Sequence, residues 1–210
     1  MASSVGTPDR LIHAAQEELI QGNGLLEMQA VARRAKVSVG LAYHHFGSKA
    51  GLIAAVVEAF YNRLEEVAFN PASLVATDWR GRERERLAAY IAFYYEHPFA
   101  PIVVGPLSRA AEVLDVEQAF TKRQLVAGAN NLRAGQRQGV VPRGFDPHLT
   151  IALMIGGIRQ ALMGALVRAE RPDPGVLTEK IWMYIAGALR LEPLEHVRPK
   201  WSRFGRPDML

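Results

Sequence analysis

The sequence predicts an all-α protein with a three-helix head and a larger helical body. Three observations support this fold class. Apolar residues recur at helical spacing, capping residues and prolines divide the chain into helix-length segments, and strand-like alternation is almost absent. A chain of 210 residues can also bury a substantial core, in one large domain or two small ones. We expect the head at residues 7–47, the body at 48–191 and a charged, proline-containing tail at 192–210, poorly ordered unless it is docked.

Caps and breakers delimit the head and the helix that follows it. A threonine–proline pair at 7–8 predicts a first helix, which ends near Gln21 before a Gly-Asn-Gly stretch. Two short helices then fall within residues 27–46, and Ser38 is a good N-cap for the second of them. Ser48 is expected to cap a fourth helix, which runs to about residue 69.

The body contains five further predicted helices. Asp–Pro pairs at 146–147 and 173–174 have the pattern of an N-cap followed by proline at the first helical position. Asp115 and Gln118 have the spacing of a capping box. Glycine and prolines within 99–108 predict a short or broken helix. The predicted ranges are about 79–97, 99–108, 115–138, 147–170 and 174–191.

Composition and motifs argue against several classes of protein. Without cysteine, the chain has no disulfide and no thiolate metal site. It lacks a signal-peptide pattern, and no uninterrupted apolar run approaches the roughly 20 residues of a membrane span. Serine-hydrolase, zinc-protease, P-loop and dinucleotide-binding motifs are missing, and the six histidines show no metal-ligand spacing. We therefore expect a cytoplasmic protein that is not an enzyme, binds no cofactor or metal and contacts no membrane.

Residues 27–52 indicate a short helix that is held by a neighbouring helix and offers its other side to a partner. Val31, Ala32 and Ala35 form the apolar face of the supporting helix. The helix after Ser38 is too short and too polar to be stable alone. No acidic residue occurs between positions 27 and 58, whereas lysines and arginines do. Positive flanks and the positive end of a helix dipole suit a polyanion, and we expect duplex DNA.

These residues resemble the helix-turn-helix of TetR-type transcriptional regulators. The resemblance covers about an eighth of the chain. The matching positions are Val31, Ala32, Ala35, Val37, Ser38, Gly40, Tyr43, Phe46, Ser48, Lys49 and Leu52. The chain departs from the family pattern with Glu27 in place of a capping threonine and Lys36 in place of a glycine. The resemblance implies a helix-turn-helix head on a helical body, a DNA operator, a small-molecule effector and a homodimer.

Seven residues of the motif are candidates for DNA contact. A serine hydroxyl at a helix N-terminus, a tyrosine hydroxyl and a lysine suit phosphate oxygens, and the resemblance implies this role for the tyrosine and the lysine. We assign Ser38, Tyr43 and Lys49 to phosphate and Val39, Gly40, Leu41 and His44 to base reading. The apolar Leu41 is suited to a thymine methyl group. His45 and Phe46 are expected in the core of the head. A plain N-cap, a half-buried tyrosine and a solvated lysine are the structural alternatives.

An aromatic cluster late in the fifth predicted helix is a candidate ligand-binding wall. Tyr90 and Tyr94 share one helix face, with Phe93 and His97 beside it. The resemblance implies an effector pocket in the body, and such pockets are mostly apolar with few polar groups. Core packing of these rings is the alternative. Arg159, on an otherwise apolar helix, is either a polar group of that pocket or an ion-pair partner at a dimer interface.

Small residues in the last two predicted helices are candidates for a dimer interface, because they let another helix approach closely. The candidates are Gly156, Gly157, Ala161, Gly164, Ile181, Tyr184, Ile185 and Ala188. The resemblance implies a four-helix interface between two copies. A dimer would also supply two DNA half-sites, whereas one short recognition helix reads few bases. Contact within one chain is the alternative.

The sequence-based hypothesis is a ligand-responsive DNA-binding regulator. We expect a homodimeric repressor that a small molecule releases from a palindromic operator. Two alternatives stay open at this point. One is a helical enzyme or small-molecule carrier with a vestigial DNA-binding head, and the other is a structural protein whose head contacts other proteins.

Overall fold

A computed structural model describes residues 6–191 and confirms the all-α prediction, with nine α-helices and no strand in this range. The helices are α1 (Thr7–Gln21), α2 (Met28–Ala35), α3 (Val39–Phe46), α4 (Lys49–Leu64), α5 (Trp79–Glu96), α6 (Ala100–Val104), α7 (Ala111–Arg137), α8 (Pro147–Leu166) and α9 (Pro174–Ala188). The prediction for the tail at 192–210 lies outside the described residues.

The head consists of α1, α2 and α3 around a small apolar core. Leu11 and Leu19 of α1 and Val31 of α2 are fully buried there. Gly22 turns the chain between α1 and α2, where a Cβ would lie 2.4 Å from the carbonyl oxygen of Leu25. Because a side chain would clash with the backbone at this point, glycine allows the two helices to join through a tight turn.

The helix starts test the predicted caps. Four side chains accept a hydrogen bond from the backbone N–H three residues later, as predicted: Ser38, Ser48, Asp146 and Asp173. Two predictions were wrong. Thr7 lies inside α1, with Gly6 at the N-cap, because proline in the first turn needs no threonine cap. Asp115 lies inside α7, because the fully buried Val113 extends the apolar face of that helix toward its N-terminus.

Helix α4 connects the head with the body. A Cβ on Gly51 would lie 2.2 Å from the carbonyl oxygen of Phe46, so glycine lets the first turn of α4 pack tightly on the end of α3. The helix runs for 16 residues and continues as a π-helical stretch over Glu65–Phe69. The predicted helical end near residue 69 is therefore right, although the last turn is wider than an α-helical turn.

The body is built from α4, α5, α7, α8 and α9. Helix α7 packs along α8 and against α4, while α5 packs against α9. Trp79 anchors the start of α5, since its Nε1 donates a hydrogen bond of 3.1 Å to the carbonyl oxygen of Asn131 on α7. Gly135 passes close to the same ring, and a Cβ there would lie 2.9 Å from it. These contacts hold the helices around a central cavity.

Candidate nucleic-acid interface and ligand cavity

Helix α3 leans on the head through one narrow face and leaves the rest of its surface free. Ala42 is fully buried, and Phe46 is partly buried on the same side. The exposed positions include Gly40, Leu41, Tyr43 and His44, which are four of the residues assigned to DNA contact. Space around Gly40 is open, because a Cβ there would meet nothing closer than the Ser38 Oγ at 4.0 Å.

Two expectations about α3 were wrong. His45 was expected in the core, but it is exposed, because the buried face follows positions 39, 42 and 46 and His45 lies beside it. Val39 was expected on the exposed side, but it is partly buried against the core, since it begins that same face. Only part of the Val39 side chain is therefore accessible to a partner.

The three residues assigned to phosphate are accessible at the edges of α3. Ser38 is exposed at the helix N-terminus, where its Oγ accepts a hydrogen bond of 3.2 Å from the Leu41 N–H. Tyr43 is 44% exposed, and Lys49 is exposed at the first position of α4. Among the described residues, neither the Tyr43 hydroxyl nor the Lys49 ammonium has a hydrogen-bond or ion-pair partner, so both are available to an anion.

The cationic surface of the head is smaller than the sequence indicated. Arg34 donates hydrogen bonds of 2.8 Å to Glu17 and to Gln21, which tie α2 to α1. In residues 6–191, the exposed Arg33, Lys36 and Lys49 form no ion pair. Between Arg33 and Lys49, the unpaired positive charge therefore comes from three side chains, whereas that of Arg34 is neutralised within the head.

Lys36 ends α2 in a strained backbone conformation. Its φ of 56° and ψ of 48° lie in the left-handed region, where the family pattern has glycine. A side chain in this region costs roughly 1–2 kcal/mol relative to right-handed backbone. The turn is retained nonetheless, because the Val37 N–H donates to the Ala32 carbonyl oxygen at 3.0 Å and closes the end of α2.

A cavity of about 540 Å³ lies between the helices of the body. Most of its wall is aliphatic or aromatic and includes Tyr61, Leu87, Phe120, Ile155, Ile158 and Trp182. Its charged lining residues are Glu65, Glu83, Arg86, Arg123 and Arg159. No group of three or more potential metal ligands occurs in the described part of the chain. The size and the mixed lining suit a small organic molecule.

Three of the five predicted ligand-binding residues line this cavity, namely Tyr90, Tyr94 and Arg159. Phe93 and His97 do not line it, so their predicted placement was wrong. Their rings pack against Phe60 of α4, with centroid distances of 5.1 and 5.0 Å. Phe93 and His97 lie four residues apart and share one face of α5, which turns toward α4. The two tyrosines lie on the adjacent face.

A polar centre beside the cavity was not predicted from the sequence. The Tyr61 hydroxyl donates a hydrogen bond of 2.8 Å to Glu117 Oε1, and Arg159 donates to the same oxygen. Burial and the Glu117 charge raise the pKa of the Tyr61 hydroxyl well above its usual value, so it stays protonated as a donor. Tyr61 lies at helical spacing from Val57 and Leu64 and was predictable as an inward residue. Glu117 carried no comparable signal.

Helices α8 and α9 expose an apolar surface. Leu153 of α8 and Tyr184 of α9 are each 68% exposed. A Cβ added at Gly156, Gly157 or Gly164 would meet no atom within 4 Å, so contacts within this chain do not require glycine there. Exposed apolar surface of this kind is typical of an interaction site.

Two of the predicted interface residues belong to the interior instead. Ile181 is 7% exposed and Ile185 is 4% exposed, and Ile185 also lines the cavity. Helix α9 turns this face toward the body, where it packs against α5. Tyr184 and Ala188 lie on its outer face and are exposed.

Helix α8 is also the one described helix with the length and apolar composition of a membrane span. Core helices of soluble proteins can pass the same test. In α8 the polar pair Arg159–Gln160 interrupts the apolar sequence, and Leu162 and Ala165 pack in the core of the body. One helix of this kind is weak evidence and does not by itself indicate a membrane protein.

The supported, exposed α3 and its cationic flank define the class of helix-turn-helix DNA-binding proteins. Residues 11–56 match the family model described as bacterial regulatory proteins, tetR family. The HTH-type transcriptional regulator BetI of Rhizobium meliloti (strain 1021) is 32% identical over 159 residues, which cover 71% of this chain and 75% of BetI. The chain belongs to the TetR family of transcriptional regulators.

Solved structures share the same fold. FadR of Bacillus subtilis, a transcriptional regulator solved in complex with stearoyl-CoA, superposes with a TM-score of 0.67 and 17% identity, covering 84% of this chain and 96% of that one. SmeT, the repressor of the Stenotrophomonas maltophilia multidrug efflux pump SmeDEF, superposes with a TM-score of 0.70 and 18% identity. The superposition covers 87% of this chain and 90% of SmeT. At these identities the likeness concerns the fold alone.

Proposed function

We propose that this regulator is a cytoplasmic, homodimeric repressor that leaves a palindromic operator when a small molecule enters the body cavity. One observation carries the proposal. Helix α4 packs on the end of α3 through Gly51 and, three turns later, brings Tyr61 into the cavity wall. A single helix thus joins the surface suited to DNA with the space suited to a ligand.

The exposed face of α3 supports contact with the major groove of DNA. We propose that Ser38, Tyr43 and Lys49 bind phosphates and that Gly40, Leu41 and His44 face base edges, with a smaller contribution from Val39. The open space at Gly40 favours close approach of the backbone to DNA. The Lys49 ammonium and the Tyr43 hydroxyl, which have no partner in the described part of the chain, favour contact with phosphates.

The apolar surface of α8 and α9 supports a two-fold dimer. Six of the candidate interface residues lie outside the buried core of the chain: Gly156, Gly157, Ala161, Gly164, Tyr184 and Ala188. The lack of neighbouring atoms around the glycines favours close packing against helices of a second copy. A two-fold dimer would present two α3 helices to two half-sites.

The cavity supports regulation by a small molecule. FadR of B. subtilis was solved with stearoyl-CoA and SmeT is a repressor, and both share the fold of this chain. A ligand shifts the equilibrium between DNA-binding and released states only by its difference in affinity for the two. A molecule that contacts Tyr61 or its partners acts on α4 directly. Its affinity can therefore differ between two positions of α4, and release from DNA requires such a difference.

A small-molecule carrier or an enzyme with a vestigial head is the second candidate function. The cavity by itself would fit it. The features of the head argue against it, because a vestigial head has no need to leave α3 exposed or to keep Tyr43 and Lys49 without partners in residues 6–191.

Protection of DNA tests the proposal. The full-length protein should protect two half-sites related by a two-fold axis in the promoter region next to its own gene, and a metabolite screen should find a compound that removes the protection. Leu41→Glu should abolish protection, because a carboxylate then faces DNA. The matched control is Val75→Glu in the body, where an 86% exposed side chain is replaced, and it should protect normally. A monomer that ignores this DNA would contradict the proposal.

A further inference from the structure

We propose that the body cavity selects an uncharged, largely apolar molecule that presents a hydrogen-bond-acceptor oxygen, such as a ketone, to Arg159. This inference rests on the proposed function and names the chemical class of the effector. It follows from the unused hydrogen-bond donors of Arg159 at the cavity, together with the cancellation of charge there.

The carboxylates at the cavity already accept hydrogen bonds from their own chain. The donors are Arg123 and Gln124 for Glu65, Arg86 for Glu83, and Tyr61 and Arg159 for Glu117. Each carboxylate is thus paired with an arginine of the same chain. A cationic ligand would therefore compete with an existing ion pair at each of these three side chains.

Arg159, in contrast, has donors to spare. A guanidinium carries five N–H groups. Within residues 6–191, the hydrogen bond of Arg159 goes to Glu117 alone, through Nη2. The Arg159 side chain is 43% exposed and lines the cavity, whereas that of Glu117 is 12% exposed and lies behind it. Tyr90 and Tyr94 also line this wall, and their side chains are hydrogen-bonded to each other. The accessible polar groups thus favour an acceptor on the ligand.

Charge decides between a neutral acceptor and an anionic one. Three arginines (Arg86, Arg123 and Arg159) and two glutamates (Glu65 and Glu83) line the cavity. Glu117, which pairs with Arg159 from behind the wall, supplies the third carboxylate, so the formal charges cancel. An anion would give up its hydration without a net positive charge to replace it, and a cation would do the same without a net negative charge. A carbonyl oxygen uses the Arg159 donors at a smaller desolvation cost.

Three probes with one ring system separate these possibilities. The probes are 2-acetylnaphthalene with a neutral carbonyl, 2-naphthoate with a carboxylate and 2-naphthylmethylammonium with a cation. Isothermal titration calorimetry of the full-length protein should show the ketone binding at least about tenfold more tightly than either ion. A tighter complex with either ion, or no binding of the ketone, would overturn the proposal.

Variants assign the selectivity to Arg159. The double variant Arg159→Met with Glu117→Gln leaves no unpaired charge and retains an acceptor for Tyr61, and it should weaken ketone binding by about tenfold. Arg84→Met removes an arginine that bonds to Glu179, is 47% exposed and does not line the cavity, and it should leave the affinity within about twofold. Equal losses in both variants would remove the special role of Arg159. Thermal unfolding of each variant verifies that it folds.

The probe titrations and the DNA-protection experiment test the ligand class and the repressor function separately. Operator protection is measured without any probe, so it tests the repressor independently of ligand class. A protein that protects the operator but prefers the naphthoate contradicts only the ligand class. A protein that binds the ketone but protects no DNA contradicts only the repressor.

Discussion

The Tyr61 hydroxyl donates a hydrogen bond of 2.8 Å to Glu117 Oε1, across 56 positions of the chain. This contact joins α4, which follows the head directly, to α7. Arg159 of α8 donates to the same oxygen, so three helices meet at one acceptor. The ring of Tyr61 also stacks on Phe120, with centroids 4.5 Å apart and planes inclined by 21°. The packing and the hydrogen bond of Tyr61 can therefore be separated by mutation.

Tyr61→Phe removes the hydrogen bond and keeps the stacked ring. We expect the free energy of unfolding to fall by about 1.5–3 kcal/mol, the range for hydrogen bonds to charged groups. Operator binding should persist without ligand, whereas the response to ligand should weaken, because α4 is no longer bonded to Glu117. Urea denaturation and ligand titration of the operator complex measure the two effects.

The control for Tyr61→Phe is Tyr95→Phe. The Tyr95 hydroxyl donates to the carbonyl oxygen of Pro172 at 3.0 Å, and Tyr95 does not line the cavity. This variant should lose about 0.5–1.5 kcal/mol, the range for neutral hydrogen bonds, and respond to ligand like the unmodified protein. If Tyr61→Phe also kept its full ligand response, the contact with Glu117 would have no part in regulation.

Lys49→Ala should reduce the dependence of operator binding on salt. Each phosphate that a lysine neutralises contributes a slope of about 0.9 in a plot of log affinity against log salt concentration. The slope should therefore fall by about one unit for each copy of the chain that contacts DNA. Lys122→Ala, at an exposed position of α7, is the control and should leave the slope unchanged. A constant slope in Lys49→Ala would remove Lys49 from the phosphate contacts.

Tyr43→Phe separates a neutral phosphate contact from a charged one. The hydroxyl has no partner among the described residues and adds a donor without a charge. We expect weaker operator binding, by roughly 0.5–1.5 kcal/mol, with the salt slope of the unmodified protein. Filter binding at several salt concentrations measures both quantities. An unchanged affinity would show that the hydroxyl makes no contact with DNA.

The features that sequence predicted well are local ones. Ser38 and Ser48 accept hydrogen bonds from N–H groups three residues away, and the buried face of α3 follows from helical spacing. Information for these features lies within one or two turns of chain. The same reasoning failed for Thr7 and Asp115. Proline in the first turn lets α1 begin without a threonine cap, and a buried valine extends α7 to a start before Asp115.

The cavity was less predictable, because its residues meet across long stretches of chain. Tyr90 and Phe93 are both aromatic and lie on adjacent faces of α5, and only the position of Phe60 on α4 decides that Phe93 packs in the core. The partners of Glu117 are 56 and 42 positions away. No local spacing indicates such pairs, whereas Arg159 was noticed because an arginine interrupts an apolar helix.

Lys36→Gly should stabilise the protein. The backbone at this position is left-handed, with φ at 56°, and glycine adopts it without the clash of a Cβ. We expect the free energy of unfolding to rise by about 1 kcal/mol, as measured by urea denaturation. Lys36→Ala removes the same charge but keeps a Cβ, so it should bring no such gain. Equal stability of the two variants would show that the strain at Lys36 is negligible.

His97 should make stability depend on pH. Burial, with the nearby Arg63 charge adding to it, lowers the pKa of His97 below its ordinary value of 6.5. The folded protein therefore holds the histidine proton less tightly than the unfolded chain does. The contribution of His97 is fully present above pH 6.5 and is lost as the pH falls from there through the lower pKa of the folded state.

The matched variant for this effect is His97→Asn. The neutral His97 ring accepts a hydrogen bond of 3.2 Å from the Phe99 N–H at Nδ1, and the asparagine oxygen can accept the same bond without titrating. Between pH 6.5 and lower values, the free energy of unfolding should fall more steeply in the unmodified protein than in the variant. Parallel curves in urea denaturation at several pH values would exclude His97 as the cause.

Leu153→Glu should break the proposed dimer. Leu153 is 68% exposed on α8, one helical turn before the open Gly156–Gly157 pair, and a carboxylate there would be buried without a partner in a two-fold interface. Light scattering should report twice the chain mass of 23.2 kDa for the unmodified protein and a single chain for the variant. Operator affinity should fall as well, because the two half-sites are no longer bound together. Leu25→Glu, at a 75% exposed position of the head, should remain dimeric. A dimeric Leu153→Glu variant would place the interface on another face of the body.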